Sequence, residues 1–265
     1  MALTDTYGNY QREMEGAYND GRRAAERYQR DLPKMMNEVQ PQMKETMRAV
    51  SDTSKVSAPP RLVIEVFAWS GMMAFVCSVG SLLGAYIMSP VFASLISKFT
   101  ASLLAYFVIP IAIHASIKHK ERQFQSDNNI RRMVLVSSFG QGLLAGYTIS
   151  QRYLYSQPIA CITPMAVSFG YGGIAHRARG DRIMILGASL GAAVSANMAV
   201  GALTGQLSSS YDFLALGYVT ISGVVMQLLF HNAHWTRGHT FQNLHNALYN
   251  LFKGMTFYLF GTYVE

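Results

Sequence analysis

Long apolar runs separated by short polar connections make up the chain after residue 60. Seven such segments follow one another, at approximately residues 62–88, 94–117, 133–151, 158–175, 183–205, 212–231 and 244–261. A helix needs about 20 residues to cross the hydrocarbon core of a bilayer, and each segment reaches or approaches that length. The pattern therefore predicts an all-α membrane protein, a bundle of seven transmembrane helices whose neighbours are antiparallel because the connections are short.

Residues 7–50 have a different pattern, with apolar positions recurring at the spacing of one helical face. This predicts an amphipathic helical extension over residues 1–60, ahead of a membrane domain over residues 61–265. Its second half carries a stripe of flexible apolar side chains, namely Met35, Met36, Val39, Met43 and Met47. A Met-rich stripe is an adaptable docking surface for lipid headgroups or for a protein. The mixed charges around it favour a protein, either a partner or the chain's own membrane domain.

Composition and charge agree with a membrane protein. Charged residues make up 14% of the chain, against about 25% in soluble domains, and the net charge is +7. The basic residues are not clustered with aromatic residues on one face, which argues against nucleic acid as a partner. They concentrate in two loops on the side of the extension, Lys118–Arg132 with five and His176–Arg182 with three. The extension is therefore expected on the positive side of the membrane, the cytoplasm or the mitochondrial matrix.

The fifth segment has small residues four positions apart, Gly187, Gly191 and Ser195. This spacing lets two helix backbones approach closely in lipid. Gly80 with Gly84, and Gly142 with Gly146, repeat the spacing in the first and third segments. The pattern predicts tight helix packing at these positions.

Four histidines, His231, His234, His239 and His245, raise the alternative of a metal site. Zinc and iron sites usually include an acidic residue as ligand or as support for the imidazoles, and residues 213–264 contain no Asp or Glu. A loop at the membrane surface fits these histidines better. Neither a nucleophile elbow nor a phosphate-binding loop is present. We therefore predict no enzyme activity, no cofactor, no metal and no small-molecule substrate.

Polar groups inside apolar segments are the remaining candidates for function, because they are costly in a bilayer. Asn197, Gln227 and Lys253 are the clearest. Lys253 lies in the middle of the seventh segment and needs a partner, which could be a buried carbonyl, an acid or a neighbouring subunit. Alternatively, that segment re-enters the membrane and Lys253 reaches water, or Lys253 belongs to an ion site.

Four stretches together resemble the Bax inhibitor family (transmembrane BAX inhibitor motif). They are Gly142–Ile149, Pro164–Leu190, Gly217–Phe230 and Asn246–Phe260, and the resemblance covers roughly residues 60–262. It implies a seven-span bundle and a calcium leak gated by two buried aspartates. The positions that match these aspartates hold Leu228 and Lys253. Because a cation and an apolar group would repel rather than bind calcium, the leak mechanism is not expected here.

This combination leads to a functional expectation with one alternative. We expect a non-enzymatic accessory subunit of a larger membrane complex, for example of the respiratory chain in the mitochondrial inner membrane. Its partners would be the lipid bilayer and other membrane subunits. The alternative is a calcium leak channel or transporter, in the endoplasmic reticulum or mitochondrion, that conducts past Asn197, Gln227 and Lys253.

Overall fold

The computed structural model describes residues 22, 40–41, 43–56, 58–233 and 237–263. The chain divides into two compact units, Met1–Ser51 and Asp52–Glu265. In the first unit, residues 43–51 are helical. The second unit is a helical bundle with one small sheet, so the prediction of an all-α fold is confirmed.

Nine α-helices and one π-helical turn form the described part of the second unit. The helices are α1 (Pro60–Tyr86), α2 (Ser89–Leu95), α3 (Lys98–Leu103), α4 (Ile109–Arg122), α5 (Asp127–Ile149), α6 (Ile162–Ile174), α7 (Arg182–Leu203), α8 (Ser209–Asn232) and α9 (Gly238–Phe260). The π-helical turn, Leu104–Val108, joins α3 to α4. The strands β1 (Arg152–Tyr153) and β2 (Thr262–Tyr263) pair antiparallel, which places the last residues of α5 and α9 at one end of the bundle.

Local sequence signals explain where several helices begin. The side chain of Asp181 accepts a hydrogen bond from the Met184 N–H at the start of α7, and Ser208 does the same for Tyr211 at the start of α8. Such caps satisfy backbone donors that have no partner within the helix. The π-helical turn ends two residues before Pro110, which lacks a backbone donor and whose ring disturbs regular α geometry.

Helices α1 and α5 pack closely against each other, backbone to backbone. A Cβ atom added at Gly84 would overlap the carbonyl oxygen of Leu143, and one added at Gly142 would overlap that of Cys77. Gly80 and Gly146 face the opposite backbone in the same way. The small residues predicted in the first and third segments therefore lie where two backbones touch.

Within the described residues, four helical segments are long and apolar enough to cross a membrane: α1, the continuous run Lys98–Arg122, α7 and α8. The helical nature of the predicted segments is confirmed, but four and not seven of them meet this requirement of length and composition. Helix α6 has 13 residues, which is short for a span. Helices α5 and α9 are long but carry many polar side chains, and these are buried against one another inside the bundle.

Candidate functional site

The segment that opens the second unit is fixed to the bundle by a buried arginine. Arg182, at the first position of α7, donates through Nη1 to the backbone carbonyl of Asp52 at 2.9 Å. The same atom lies 2.8 Å from Asp52 Oδ2. The Arg182 side chain is almost completely buried and its guanidinium lies over the ring of Phe230. A buried cation needs such a partner, and Asp52 supplies it with both a carboxylate and a carbonyl.

Two further hydrogen bonds complete this attachment. Gln227 of α8 donates to the Asp52 carbonyl at 3.3 Å, and the Val56 N–H donates to the carbonyl of Gly180 at 2.8 Å. Gly180 has a φ of 84°, a conformation that glycine adopts without strain. We call residues Asp52 to Val56 the linker. Helices α7 and α8 together hold it.

The electrostatics of the linker favour an ionised Asp52. The backbone N–H of Ser54 donates to Asp52 Oδ1 at 2.8 Å, and the Ser54 hydroxyl lies 3.0 Å from Oδ2. These hydrogen bonds, with the charge of Arg182 nearby, lower the pKa of Asp52 below its ordinary value of 3.8. The ion pair with Arg182 therefore stays charged to a lower pH than an aspartate of ordinary pKa would allow.

An open cleft of about 360 Å³ lies where α1, α5 and α9 begin. Charged side chains of both signs line it: Glu65 pairs with Arg131, and Asp127 lies 3.7 Å from Arg237 and 3.5 Å from His239. The guanidinium of Arg131 also covers the ring of Trp69. Because its charges are balanced within the cleft, this surface has no strong preference for one sign of ligand.

A buried polar network joins α9 to its neighbours. Asn246 donates to Gln141 Oε1 of α5 at 2.8 Å, and Asn250 accepts from the Cys77 thiol of α1 at 3.0 Å. Asn243 donates to the carbonyl of Pro110 at 3.0 Å. Three asparagines on one face of α9 thus contact three other helical segments, which is how a polar helix fits inside the bundle.

A second polar group lies between α8 and α9. Ser222 Oγ is 3.1 Å from His245 Nε2 and 2.8 Å from the Tyr249 hydroxyl. The Tyr249 hydroxyl donates to the Tyr218 carbonyl at 3.0 Å, and the two tyrosine rings are stacked. All four side chains are buried. Their hydrogen bonds are directed at one another and at the backbone, so they stabilise the contact between the two helices.

The three predicted intramembrane polar residues lie in three different places. Asn197 is fully buried and donates to Thr163 at 2.9 Å, linking α7 to α6. Gln227 contacts the linker, as described above. Lys253 lies on α9 near the end of the bundle that carries the sheet, with its amine 5.8 Å from the centre of the Phe257 ring. The structure does not bring these residues together into one path.

The predicted small-residue stripe of α7 faces outward. Gly187, Gly191 and Ser195 are exposed, and nothing lies within 4 Å of a Cβ added at either glycine. Within the described chain no helix packs against these positions, and tight helix packing there stays a prediction. The tight contact is at α1 and α5 instead.

Of the predicted docking stripe, Met35, Met36 and Val39 lie outside the described residues. Met43 and Met47 are one helical turn apart and are 62% and 74% exposed. They form an exposed apolar pair.

The histidines do not converge. His231 is exposed, His239 lines the cleft and His245 is buried next to Ser222, while His234 lies outside the described residues. In the part of the chain that the structure describes, no three His, Cys, Asp or Glu side chains are grouped so that they could hold a metal ion.

The comparison with protein families gives one match. Residues 1–263 match the model of a family described as "Interactor of ZYG-11". The chain belongs to this family. No curated protein and no solved structure matches the chain. The description of the ZYG-11 interactor family agrees, in coarse form, with the expectation of a protein partner.

The predicted relationship to the Bax inhibitor family is wrong, because the chain belongs to the ZYG-11 interactor family. The matched family includes the N-terminal extension, which that resemblance left out. The likeness rested on the order of apolar segments, glycine spacing and basic loops. These features follow from helix packing and orientation in any such bundle and are not specific to one family.

The functions inferred through that resemblance are wrong as well. They were the accessory subunit of a respiratory or other membrane complex, and the calcium leak. The comparison of Leu228 and Lys253 with a pair of aspartates has no basis. In the structure Leu228 is a half-buried residue that packs against the apolar core, and Lys253 lies at a cavity described below.

Proposed function

We propose that this chain is a membrane-embedded protein that binds a ZYG-11 protein, and that its role is binding rather than catalysis. The observation that carries the proposal is the match to the ZYG-11 interactor family over residues 1–263. Because the match begins at residue 1, it includes the N-terminal unit as well as the helical bundle.

The distribution of polar and apolar residues supports embedding in a membrane. Large apolar side chains face outward on several helices, for example Phe169 and Leu203, which are 79% and 87% exposed. Polar side chains such as Gln141, Asn197 and Asn246 are buried. In water this arrangement would leave an extensive apolar surface uncovered, whereas in a bilayer lipid covers it.

We propose that seven helical passes cross the membrane: α1, Lys98–Arg122, and α5 to α9. Four of them are long and apolar enough to do so. Of the other three, α5 and α9 contribute polar side chains that the neighbouring helices cover, and α6 is apolar but has only 13 residues. We also propose that the N-terminal unit lies on the positive side of the membrane, and the basic loops support this orientation.

For the contact with the ZYG-11 protein we propose the exposed pair Met43 and Met47. Methionine side chains are flexible and polarisable, so they adapt to an apolar groove on a partner. The pair lies on a helix in the N-terminal unit, which the linker connects to the bundle. The partner would thus be held next to the membrane without entering it.

The proposal is tested with the purified full chain in detergent and a purified ZYG-11 protein, by biolayer interferometry. We expect saturable binding by the wild type. The double variant Met43→Ser/Met47→Ser should weaken it about tenfold or more, as for anchor residues of an interface. The matched control is Lys44→Ser/Glu45→Ser, in the same helix, exposed and without a change in net charge. It should change the dissociation constant less than about twofold.

Two results would count against the proposal in different ways. If the full chain does not bind the ZYG-11 protein, the function itself is wrong. If it binds and both double variants bind equally well, the function stands and the methionine pair is not the contact surface.

A further inference from the structure

A cavity of about 110 Å³ opens at the end of the bundle that carries the two-stranded sheet. The ends of α1 and α5, β1 and the last turns of α9 enclose it. Two cationic side chains, Arg152 and Lys253, line it together with the polar residues Ser81, Ser150 and Gln157. Among the described residues that line it none carries a carboxylate, so both of the charged side chains in this lining are cationic.

The charge of Arg152 is held in place by neutral groups. Its Nη1 donates to the Tyr258 carbonyl at 3.0 Å, and its Nη2 donates to the Tyr263 hydroxyl at 3.1 Å. The guanidinium also lies over the rings of both tyrosines, 4.2 Å and 4.5 Å from their centres. These contacts fix the position of the cation without neutralising it.

The charge of Lys253 is likewise met only by uncharged groups among the described residues. Among the described residues, its amine has the ring of Phe257 beside it and forms no ion pair with a carboxylate. Behind it lies a second, much smaller cavity of about 10 Å³, lined by Cys77, Ser78 and Asn250. That volume is about enough for one water. Lys253 therefore lines both cavities, the small one with room for a single water and the larger one with room for a ligand.

Exposed tyrosines surround this end of the bundle: Tyr86, Tyr153, Tyr155, Tyr258 and Tyr263. Tyrosine is enriched where a membrane protein meets the headgroup layer, because its ring is apolar and its hydroxyl is polar. The cavity thus lies at the level where lipid phosphates would be found if the bundle is embedded as proposed above.

We propose that this cavity binds a phosphate group, with Arg152 and Lys253 contacting its oxygens. A guanidinium offers two parallel donors that match two phosphate oxygens, and a lysine amine adds a compact charge. The phosphate can belong to the headgroup of an anionic lipid or to a free anion. The lipid source rests on the proposed membrane embedding, whereas the anion site itself does not depend on binding of a ZYG-11 protein.

The test is the retention of defined ligands by the full chain in detergent, measured by native mass spectrometry and by the midpoint of thermal unfolding. The probes are phosphatidylglycerol, phosphatidylcholine and inorganic phosphate. The variant is Lys253→Met, which removes one charge and keeps an unbranched side chain of similar length. The matched control is Lys98→Met, because Lys98 is a cation near this end that does not line the cavity and instead donates to Gln151 at 2.7 Å.

We expect the wild type and Lys98→Met to retain phosphatidylglycerol in preference to phosphatidylcholine. Lys253→Met should bind it about tenfold more weakly. Stabilisation of the wild type by inorganic phosphate alone, again lost in Lys253→Met, would support the site with a free anion as its ligand. Equal retention by Lys253→Met and the wild type would overturn the proposal, as would the absence of binding of all three probes to the wild type. If Lys253→Met fails to fold, Lys253→Gln takes its place.

Discussion

At the scale of single residues, Arg182 is the side chain on which the attachment of the linker depends. We expect Arg182→Gln to raise the rate of cleavage after Lys55 by endoproteinase Lys-C roughly tenfold, because the linker loses its charged hydrogen bonds and opens more often. Lys55 is exposed in the linker. The measurement is the rate of appearance of the fragment that begins at Val56.

The control for this prediction is Arg177→Gln, which removes the same charge from an exposed position in the loop before α7. It should leave the cleavage rate after Lys55 unchanged. If both variants are cleaved faster to the same extent, the effect comes from the net charge of the loop and not from the contact with Asp52.

The attachment of the linker should also depend on pH, with a sign that follows from Asp52. Its pKa is lowered in the folded protein, so ionisation stabilises the attachment above the ordinary pKa of 3.8, and this contribution is lost as the pH falls through the lower, folded value. We expect the hydrogen-exchange protection of the Val56 amide to stay constant from about pH 7 to pH 5 and to fall only below about pH 4. In Asp52→Asn this fall should be absent. A loss of protection near pH 6 in the wild type would contradict the assignment.

The sequence predicted which residues are chemically unusual better than it predicted their contacts. A lysine inside an apolar segment is visible in the sequence. The cavity that Lys253 lines is not, because its other cation, Arg152, lies in β1, about 100 residues earlier in the chain. The contact between Asp52 and Arg182 could not be predicted, because the local sequence does not show that two residues 130 positions apart will meet. Such pairs are determined by the packing of whole helices.

At the scale of helices, the contact between α1 and α5 leaves no room for a methyl group. We expect Gly84→Ala to lower the free energy of unfolding by about 1–3 kcal/mol or more, because the new Cβ must push the backbone of α5 away. The matched control is Gly187→Ala on the outward face of α7, where a Cβ meets open space. It should be neutral or stabilising by up to about 1 kcal/mol. Thermal unfolding in one detergent compares the two, and equal effects would contradict the packing described.

The hydrogen bond between Asn246 of α9 and Gln141 of α5 leads to a second prediction at this scale. Asn246→Leu should destabilise the bundle by about 1–3 kcal/mol, because it leaves the buried Gln141 without its partner. Adding Gln141→Met should recover part of that loss, since the unpaired group is then removed. A double-mutant cycle on unfolding free energies measures the coupling. Additive losses would show that the two side chains do not interact.

Apolar patterning located the long helices of the bundle, because length and hydrophobicity are local properties, but α5 and α9 begin six residues earlier than predicted and the short helix α2 was not predicted. It did not separate lipid-facing helices from polar ones covered by their neighbours. α9 was predicted as one more apolar span, although its asparagines and His245 face the inside of the bundle. The spacing of small residues did not show whether a position faces another helix. The same spacing occurs at Gly84 and Gly142, where two backbones touch, and at Gly187 and Gly191, which face open space.

At the scale of the whole molecule, the number of membrane passes decides where the two ends of the chain lie. Seven passes place the N-terminus and the C-terminus on opposite sides of the membrane, whereas four passes place them on the same side. We expect opposite sides. The measurement is protease accessibility of short epitope tags, one at each end, in sealed vesicles, with a detergent-opened sample as control. Protection of both tags, or cleavage of both, in sealed vesicles would contradict seven passes.

The linker has a mechanical consequence for the molecule. A pulling force transmitted along the chain into Asp52 would act on the contacts by which Arg182 and Gln227 hold this residue at the ends of α7 and α8. The load is therefore shared between two helices through several hydrogen bonds, and the first turn of α1 is shielded from being peeled away. A partner that pulls on the N-terminal unit would therefore load several helices of the bundle together rather than unfold its first helix alone.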